Sequence, residues 1–366
     1  MNSRLLGDIC DFAYGDSLPE ERRRGGIVPV YGSNGVVGRH NSAITSGPTI
    51  VIGRKGSIGE IRWSDKPCFP IDTTYYIETT KLPCELRWLY YALLQLDLTR
   101  FNKSAAVPGL NREDAYEKRI QFPTVAEQRY IAAQLDQADR LRRARRYTLE
   151  LSGNFLPATF RKFFGDSLRE LPRWKPVPIS ELCESITDCV NKTAPLSETL
   201  TPFKMIRTTN VRNGEVDLTA VRYVTEETFK TWTRRSVPQH GDIILTREAP
   251  LGEVGILKNP HNIFLGQRLV QYRVNPAKAT PEYLLHALLS TDLQHQLKRL
   301  GAGSTVEHIA VPDCEALMVM KPPHDLQQHF TTLVTQHERL LATQRESLRQ
   351  AEHLFQTLLH RAFSPD

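Results

Sequence analysis

The chain has 366 residues, 40% hydrophobic and 24% charged, with a formal net charge of +6. That length allows two or three buried cores, and no run of about 18 apolar residues marks a bilayer-crossing helix. The opening stretch MNSRLLGDICDF lacks the basic region, apolar core and cleavage site of a secretory signal, so a cytoplasmic protein is expected; the modest positive excess permits a polyanionic partner without requiring one.

In chain order, short β-branched runs punctuated by glycine and proline predict strands at Ile27–Tyr31, Thr49–Ile52 and Thr73–Ile77, then a helix at Leu86–Leu96. From Thr124 to about Phe163 there is only one proline and one glycine, so a long helix follows Pro123. The pattern then restarts. Strands are expected at Phe203–Ile206, Asp242–Thr246 and Leu269–Val274, a helix at Pro281–Leu297, and a second long helix from Asp325 to about Ala362, a stretch free of proline and glycine. Cys10, Cys68, Cys84, Cys183, Cys189 and Cys314 form no C-x-x-C pair; reduced structural thiols are expected rather than a disulfide framework or a metal site.

The restart is a repeat. TIVIGRKGSIGEI at Thr49–Ile61 aligns without gaps to DIILTREAPLGEV at Asp242–Val254, with Arg54 and Arg247 at the same place. RLLGDIC at Arg4–Cys10 matches VPISELC at Val177–Cys183, and LYYALL at Leu89–Leu94 matches LLHALL at Leu284–Leu289. QFPTVAEQRYI at Gln121–Ile131 echoes MKPPHDLQQHF at Met320–Phe330. The pairs keep one order in both halves, which argues for duplication.

Both long helices carry apolar residues at three-four spacing. The distal one places Leu326, Phe330, Leu333, His337, Leu340, Gln344, Ala351, Leu354 and Leu358 in one stripe, and Val334, Leu341, Leu348, Phe355 and Leu359 in a parallel one. The central one offers Ile131, Leu135, Ala138, Leu141, Leu151, Phe155, Thr159 and Phe163. Stripes this wide need a long apolar partner. Rods of roughly 60 Å pair most simply with each other, antiparallel; two unrelated core helices are the alternative.

These runs resemble the specificity subunits of type I restriction-modification enzymes. YGSNGVVGRHN at Tyr31–Asn41, GRKGSIG at Gly53–Gly59 and PIDTTYYI at Pro70–Ile77 are similar to one variety of target-recognition domain, and RTTNVRNGEV at Arg207–Val216 with GDIILTRE at Gly241–Glu248 to another. FPTVAEQRYIAAQL at Phe122–Leu135 resembles the family's helix start and FRKFFGD at Phe160–Asp166 its helix end, of which RAFSPD at Arg361–Asp366 is a degraded copy. Leu326 departs from the pattern at Glu127's counterpart, and Glu248-Ala249-Pro250 replaces Lys55-Gly56-Ser57. The resemblance implies an α+β chain with two globular α/β target-recognition domains, at 1–123 and 167–322, separated by two long antiparallel helices forming a coiled coil, at 124–166 and 323–366.

It also implies a non-catalytic protein that reads a split, asymmetric double-stranded DNA target and docks two modification (methyltransferase) subunits and restriction (motor-nuclease) subunits. Those partners would use S-adenosylmethionine, ATP and magnesium; this chain needs no cofactor. The residues agree on chemistry. The only Pro-Pro, in Lys321-Pro322-Pro323-His324, is not the Asp/Asn-Pro-Pro-Tyr/Phe segment of an adenine methyltransferase. No dinucleotide fingerprint, G-x-x-x-x-G-K-[ST], H-E-x-x-H or G-x-S-x-G occurs. A stand-alone DNA-acting enzyme and a protein-only coiled-coil adaptor are the competing readings.

Base edges are read by forked Arg, Lys, Asn and Gln side chains, and phosphates by cations, hydroxyls and backbone N–H groups. The expected contacts in the first half are Ser33, Asn34, Arg39, His40 and Asn41, Arg54 and Lys55, and Lys103 and Ser104 in a loop after the helix. In the second they are Arg207, Thr209, Asn210 and Arg212, Arg247 and Glu248, and Lys298, Arg299 and Ser304. For each the alternative is a solvated loop residue, and Arg54 and Arg247, held at one place in both halves, are equally suited to bracing the turn. The run Arg140, Arg142, Arg143, Arg145 and Arg146 cannot share one helix face; a solvated face, DNA phosphates or an acidic partner are its three readings.

Overall fold

The structure, a computed structural model, describes residues 3–79, 82–101, 109–165, 173–302 and 307–364. Its contacts divide the chain into two compact units: residues 1–148 with 344–366, and residues 149–343. Among the described residues no helix is long and apolar enough to cross a membrane. The six cysteines are unpaired, and all but Cys84 are buried.

Unit one begins with strands β1 (Ser3–Leu5), β2 (Ala13–Tyr14), β3 (Val28–Gly32), β4 (Gly35–His40), β5 (Thr49–Gly53), β6 (Ile61–Ser64), β7 (Phe69–Pro70) and β8 (Thr74–Glu78). Helices α1 (Leu86–Leu96) and α2 (Arg112–Tyr116) and strand β9 (Arg119–Gln121) follow. One antiparallel sheet runs β2-β8-β5-β6, a second runs β4-β3-β7 with β3 and β7 parallel, and β1 pairs with β9. Every position of β5 is buried, as befits a central strand made of Thr49-Ile50-Val51-Ile52. Its Ile50 and Ile52 meet Trp88 and Leu89 of α1 in the core.

Unit two repeats the plan with more strands: β10 (Pro176–Pro178), β11 (Cys183–Asp188), β12 (Lys204–Ile206), β13 (Val211–Arg212), β14 (Gly214–Val216) and β15 (Arg222–Tyr223). After the short helix α5 (Glu226–Trp232) come β16 (Ile243–Arg247), β17 (Leu251–Ile256), β18 (Ile263–Leu265) and β19 (Leu269–Val274), then α6 (Pro281–Leu289), α7 (Thr291–Gly301), α8 (Val311–Ala316) and β20 (Met318–Met320). The central helices α3 (Val125–Gly153) and α4 (Phe155–Phe164) precede β10 in the chain. The main sheet runs β11-β19-β16-β17-β14-β13, and β12 lies between β15 and a parallel β18. The single helix expected over Pro281–Leu297 is two: Ser290 takes an extended conformation and its hydroxyl accepts the Leu293 N–H, starting a new helix.

Two buried glutamines mark the duplication in hydrogen bonds. Gln128 Oε1 accepts the N–H of Glu85, the residue capping α1, at 2.8 Å, while its Nε2 donates to Pro123 O at 2.9 Å. Gln327 does the same for Thr280, the cap of α6, at 3.0 Å, and for Pro322 O at 3.0 Å. Both side chains are fully buried, so each satisfies a donor and an acceptor that water does not reach.

The distal helix, α9 (His324–Phe363), has 40 residues, about 60 Å of helix. The expected continuous central helix is interrupted: α3 (Val125–Gly153) ends at its glycine and α4 (Phe155–Phe164) starts after Asn154. Glycine weakens the helix there, and Pro157 has no N–H for the Gly153 carbonyl, so the break costs little. In unit one, α3 meets α9 antiparallel, with Leu135 and Ala138 against Phe355 and Leu359 and Arg146 paired to Glu352 at 2.8 Å. In unit two, His337 Nε2 donates to Ser152 O (3.1 Å) and its ring stacks on Phe155, while Phe330 packs on Phe160 and Phe164.

The buried seam of α9 takes part of each expected stripe and adds Gln327, which belonged to neither. It follows Gln327, Phe330, Val334, His337, Ala351, Phe355 and Leu359. Of the residues assigned to packing, Leu135 and Phe330 are buried, and Ile131, Phe163, Leu326, Leu333, Leu348 and Leu358 are half-buried. Leu141, Leu151, Leu340 and Leu354 are exposed, a correction to their assignment, whereas Phe155, although partly exposed, packs on α9 by stacking on His337. Spacing sets the period of a helix face but not its phase: the heptad series through Phe330, His337 and Ala351 and the one through Val334 and Phe355 are covered, while the series through Leu326, Leu340 and Leu354 lies at the edge. Three of the clustered arginines are drawn into this coil: Arg142 lies 3.8 Å above the Phe355 ring and 2.7 Å from the buried Asp139, which also pairs with Arg143, and Arg146 holds Glu352. Arg140 and Arg145 are exposed.

Candidate nucleic-acid interface

In unit one the β5 strand delivers Arg54 into a glycine turn closed by Gly53 N to Glu60 O and Gly59 N to Gly53 O, both 2.8 Å. A Cβ on Gly53 would lie 2.0 Å from Ser57 O and 3.1 Å from Ser33 O, so the turn and the β3–β4 hairpin tip are in contact only because that residue has no side chain. Gly56, at φ +78°, would bring a Cβ 3.3 Å from Ser33 Oγ. The fold thus gathers Ser33, Asn34, Arg54 and Lys55 in one place. Asn34 and Lys55 are exposed.

Arg54 is the brace of this cluster. Its backbone N and that of Lys55 donate to Thr73 O, and its carbonyl accepts Leu110 N at 2.8 Å. Its guanidinium donates to Asp72 O at 3.0 Å and sits 4.9 Å from the Tyr14 ring. Tyr75 completes the frame by donating its hydroxyl to Leu110 O at 3.1 Å; burial raises its pKa above the ordinary tyrosine value, so it keeps that proton at neutral pH. Arg62, which motif reading passed over, lies beside the hairpin tip, its Nε 3.6 Å from where a Gly35 Cβ would be, and pairs with Glu60 at 3.1 Å.

Arg39, His40 and Asn41 lie at the other end of β4, away from the tip. His40 is buried, packs edge-on to Phe69 and accepts the Arg24 N–H on Nδ1, so its assignment as a contact is corrected to a structural one. Arg39 donates to Ile27 O at 3.2 Å. Lys103, Ser104 and Ser304 lie outside the described residues.

Unit two builds the counterpart turn on the same frame. Arg247 N donates to Arg268 O at 2.8 Å as Arg54 N does to Thr73 O, and Arg247 O accepts Ile309 N at 3.2 Å as Arg54 O accepts Leu110 N. The side chain again braces, with Nη1 donating to Ile309 O at 3.2 Å. Ala249 holds φ +48° in the turn, and its carbonyl accepts the Thr208 hydroxyl at 3.1 Å, which brings the segment after β12 against the turn. Arg207, Thr208, Thr209, Arg247 and Glu248 therefore share one surface. Arg207 Nε and Arg247 Nε are buried without a hydrogen-bond acceptor.

Asn210 does not join them. It is buried, its carbonyl accepts Arg207 N, and its amide donates to Asp217 O and Ala220 O, so it is a structural residue rather than a reader. Arg212 is exposed and pairs with Glu253 at 3.1 Å. Lys298 and Arg299 stand exposed on the last turn of α7 rather than in a loop. Thr208 and Arg268 were missed by sequence reading. Thr208 was adjacent to the named cluster, whereas nothing in the repeat points to Arg268.

The geometry defines a duplicated binding module: one hydrogen-bonded frame, used twice, displaying different polar side chains around an equivalent turn. Among the described residues no group of three or more His, Cys, Asp or Glu is placed to hold a metal ion. The family model for the type I restriction modification DNA specificity domain matches residues 1–151 and again 173–353, and the chain belongs to that family. It is similar to the type I restriction enzyme EcoBI specificity subunit of Escherichia coli, with 22% identity over 351 residues, 86% of this chain and 72% of that one. In fold it is similar to the type I restriction-modification S subunit from M. genitalium, with a TM-score of 0.64 at 16% identity over 100% of this chain and 96% of that chain. A chain solved in work on complex assembly and conformational transition of the type I R-M system gives 0.56 at 17% identity, covering 99% and 97%. The protein is accordingly a non-catalytic, DNA-recognising specificity subunit.

Proposed function

We propose that each unit reads one half of an asymmetric, bipartite double-stranded DNA target and that the paired helices set the spacing between the halves. The observation that carries this reading is the retained frame with exchanged polar side chains: Ser33, Asn34 and Lys55 around one turn, Arg207, Thr209 and Glu248 around the other. Identical frames favour a common mode of approach, and unlike side chains favour different bases. The exposed Asn34 amide suits adenine, and Lys55 suits guanine or a phosphate. Among the remaining named residues, Arg39, Asn41, Arg212, Lys298 and Arg299 are proposed as phosphate contacts, with Arg54 and Arg247 acting as braces.

The chain works in the cytoplasm, docking two modification subunits and, with them, restriction subunits. Those subunits bring S-adenosylmethionine, ATP and magnesium chemistry; this chain contributes recognition. Removing two whole helical turns from α3 together with the facing turns of α9 tests the spacing role. With the modification subunit co-expressed, the methylated motif should keep both half-sites and change only its spacer. An altered half-site at constant spacing would contradict it, and a complex that binds no DNA at low salt would favour the protein-only adaptor.

A further inference from the structure

The second unit's turn carries a cation that the repeat does not announce. Arg268 sits between β18 and β19, immediately beside the Arg247–Glu248 turn, where its carbonyl accepts Arg247 N at 2.8 Å. The counterpart in unit one, by the same bond, is Thr73. Arg268 holds φ +70°, the left-handed region that a long side chain rarely adopts. Such backbone persists where the surroundings over-determine it, and it concentrates at binding sites. The side chain is half exposed, and its Nη2 lies 3.3 Å from Glu248 Oε1. The Glu248 backbone pairs with that of His308 in an isolated antiparallel bridge.

An exposed ion pair adds little stability, so stability does not account for a strained arginine. A carboxylate on one side of a guanidinium does, however, hold the planar fork in one orientation and leave its other edge available. Arg268 stands beside the turn already assigned to the interface: its carbonyl accepts the N–H of the braced Arg247, and Ala249 of the same turn holds the Thr208 hydroxyl.

We propose that Arg268 is a specificity-determining residue of the second unit: it reads a guanine in that half-site, with Glu248 as the group that positions its fork. This rests on the half-site reading above. It also gives Glu248 a role that a direct DNA contact would not, because an acidic group near phosphates is repelled unless it is paired.

The test uses the chain in complex with its modification subunit and a DNA library randomised over the second half-site. Arg268→Gly keeps the left-handed backbone accessible, so loss of folding does not confound it. The expected result is roughly ten- to hundred-fold less discrimination at a single base pair of one half-site, the first half-site unchanged. Arg268→Lys should fail to restore that discrimination because an ammonium makes no fork, and Glu248→Gln should weaken it at the same base pair. Uniform weakening on all sequences with a salt slope smaller by about one would identify a phosphate contact and overturn the proposal, as would an unchanged motif. A wild-type complex without a bipartite motif would instead sink the half-site reading on which it stands.

Discussion

The two units agree in what they bury and differ in what they display. Gln128 and Gln327 make the same pair of bonds, and Arg54 and Arg247 accept the same backbone N–H from Leu110 and Ile309. Around that frame, Lys55 of unit one has Glu248 as its counterpart in unit two, Thr73 has Arg268, and the Ser33-Asn34 hairpin tip is replaced by the Arg207-Thr208 segment. Buried hydrogen bonds resist change because a lone unsatisfied partner costs about 1–3 kcal/mol, whereas exposed side chains exchange almost freely. A duplicated reader can therefore diverge in specificity without altering its scaffold.

The largest expected effect breaks the frame's support. Phe355, buried under Tyr91 and Arg142, should destabilise unit one by about 3–5 kcal/mol when replaced by alanine, measured by chemical denaturation. Gln327→Ala and Gln128→Ala should each cost about 2–4 kcal/mol, and equally so if the frames are equivalent; amide exchange at Thr280 and Glu85 reports the lost bonds. Asn34→Ala or Lys55→Ala should leave stability alone and reduce discrimination by about 1–3 kcal/mol at one half-site only, read by binding to target variants. Leu354→Ala, on the exposed side of α9, should change stability by less than about 0.5 kcal/mol.

One difference between the units depends on pH. Where unit one has Tyr91, unit two has His286, stacked on Phe160 and edge-on to Phe330. Burial lowers its pKa from 6.5 to about 4, with Glu338 opposing and His337 reinforcing that shift. Between those values the unfolded chain binds the extra proton, so unit two should lose stability as pH falls from 6.5 towards 4. His286→Phe should flatten that slope in a pH series of thermal melts; an unchanged slope would place the acid sensitivity elsewhere.

Much of the architecture was legible because duplication repeats its own signals. TIVIGRKGSIGEI and DIILTREAPLGEV marked β5 and β16 with their turns, and the proline-free stretch to Ala362 marked α9. The phase of the helix seam was not legible, since Leu340 and Val334 belong to stripes of equal period and only the partner decides which is covered. The break at Gly153 was one residue in a run of good helix formers. At the interface, composition identified the turn but could not separate Asn34, which is exposed, from Asn210, whose polar atoms are consumed inside the unit. Arg268 was hidden because the Gly266-Gln267-Arg268 loop shares no residue with Ile71-Asp72-Thr73.

The claim that the two heads read independently is tested most directly by mapping methylated adenines across a genome in cells carrying this chain and its modification subunit. Wild-type protein should yield one bipartite motif, and an Asn34→Ala, Lys55→Ala double variant should alter the bases of one half while the other half and the gap stay as they were. A motif whose two halves change together would contradict the account.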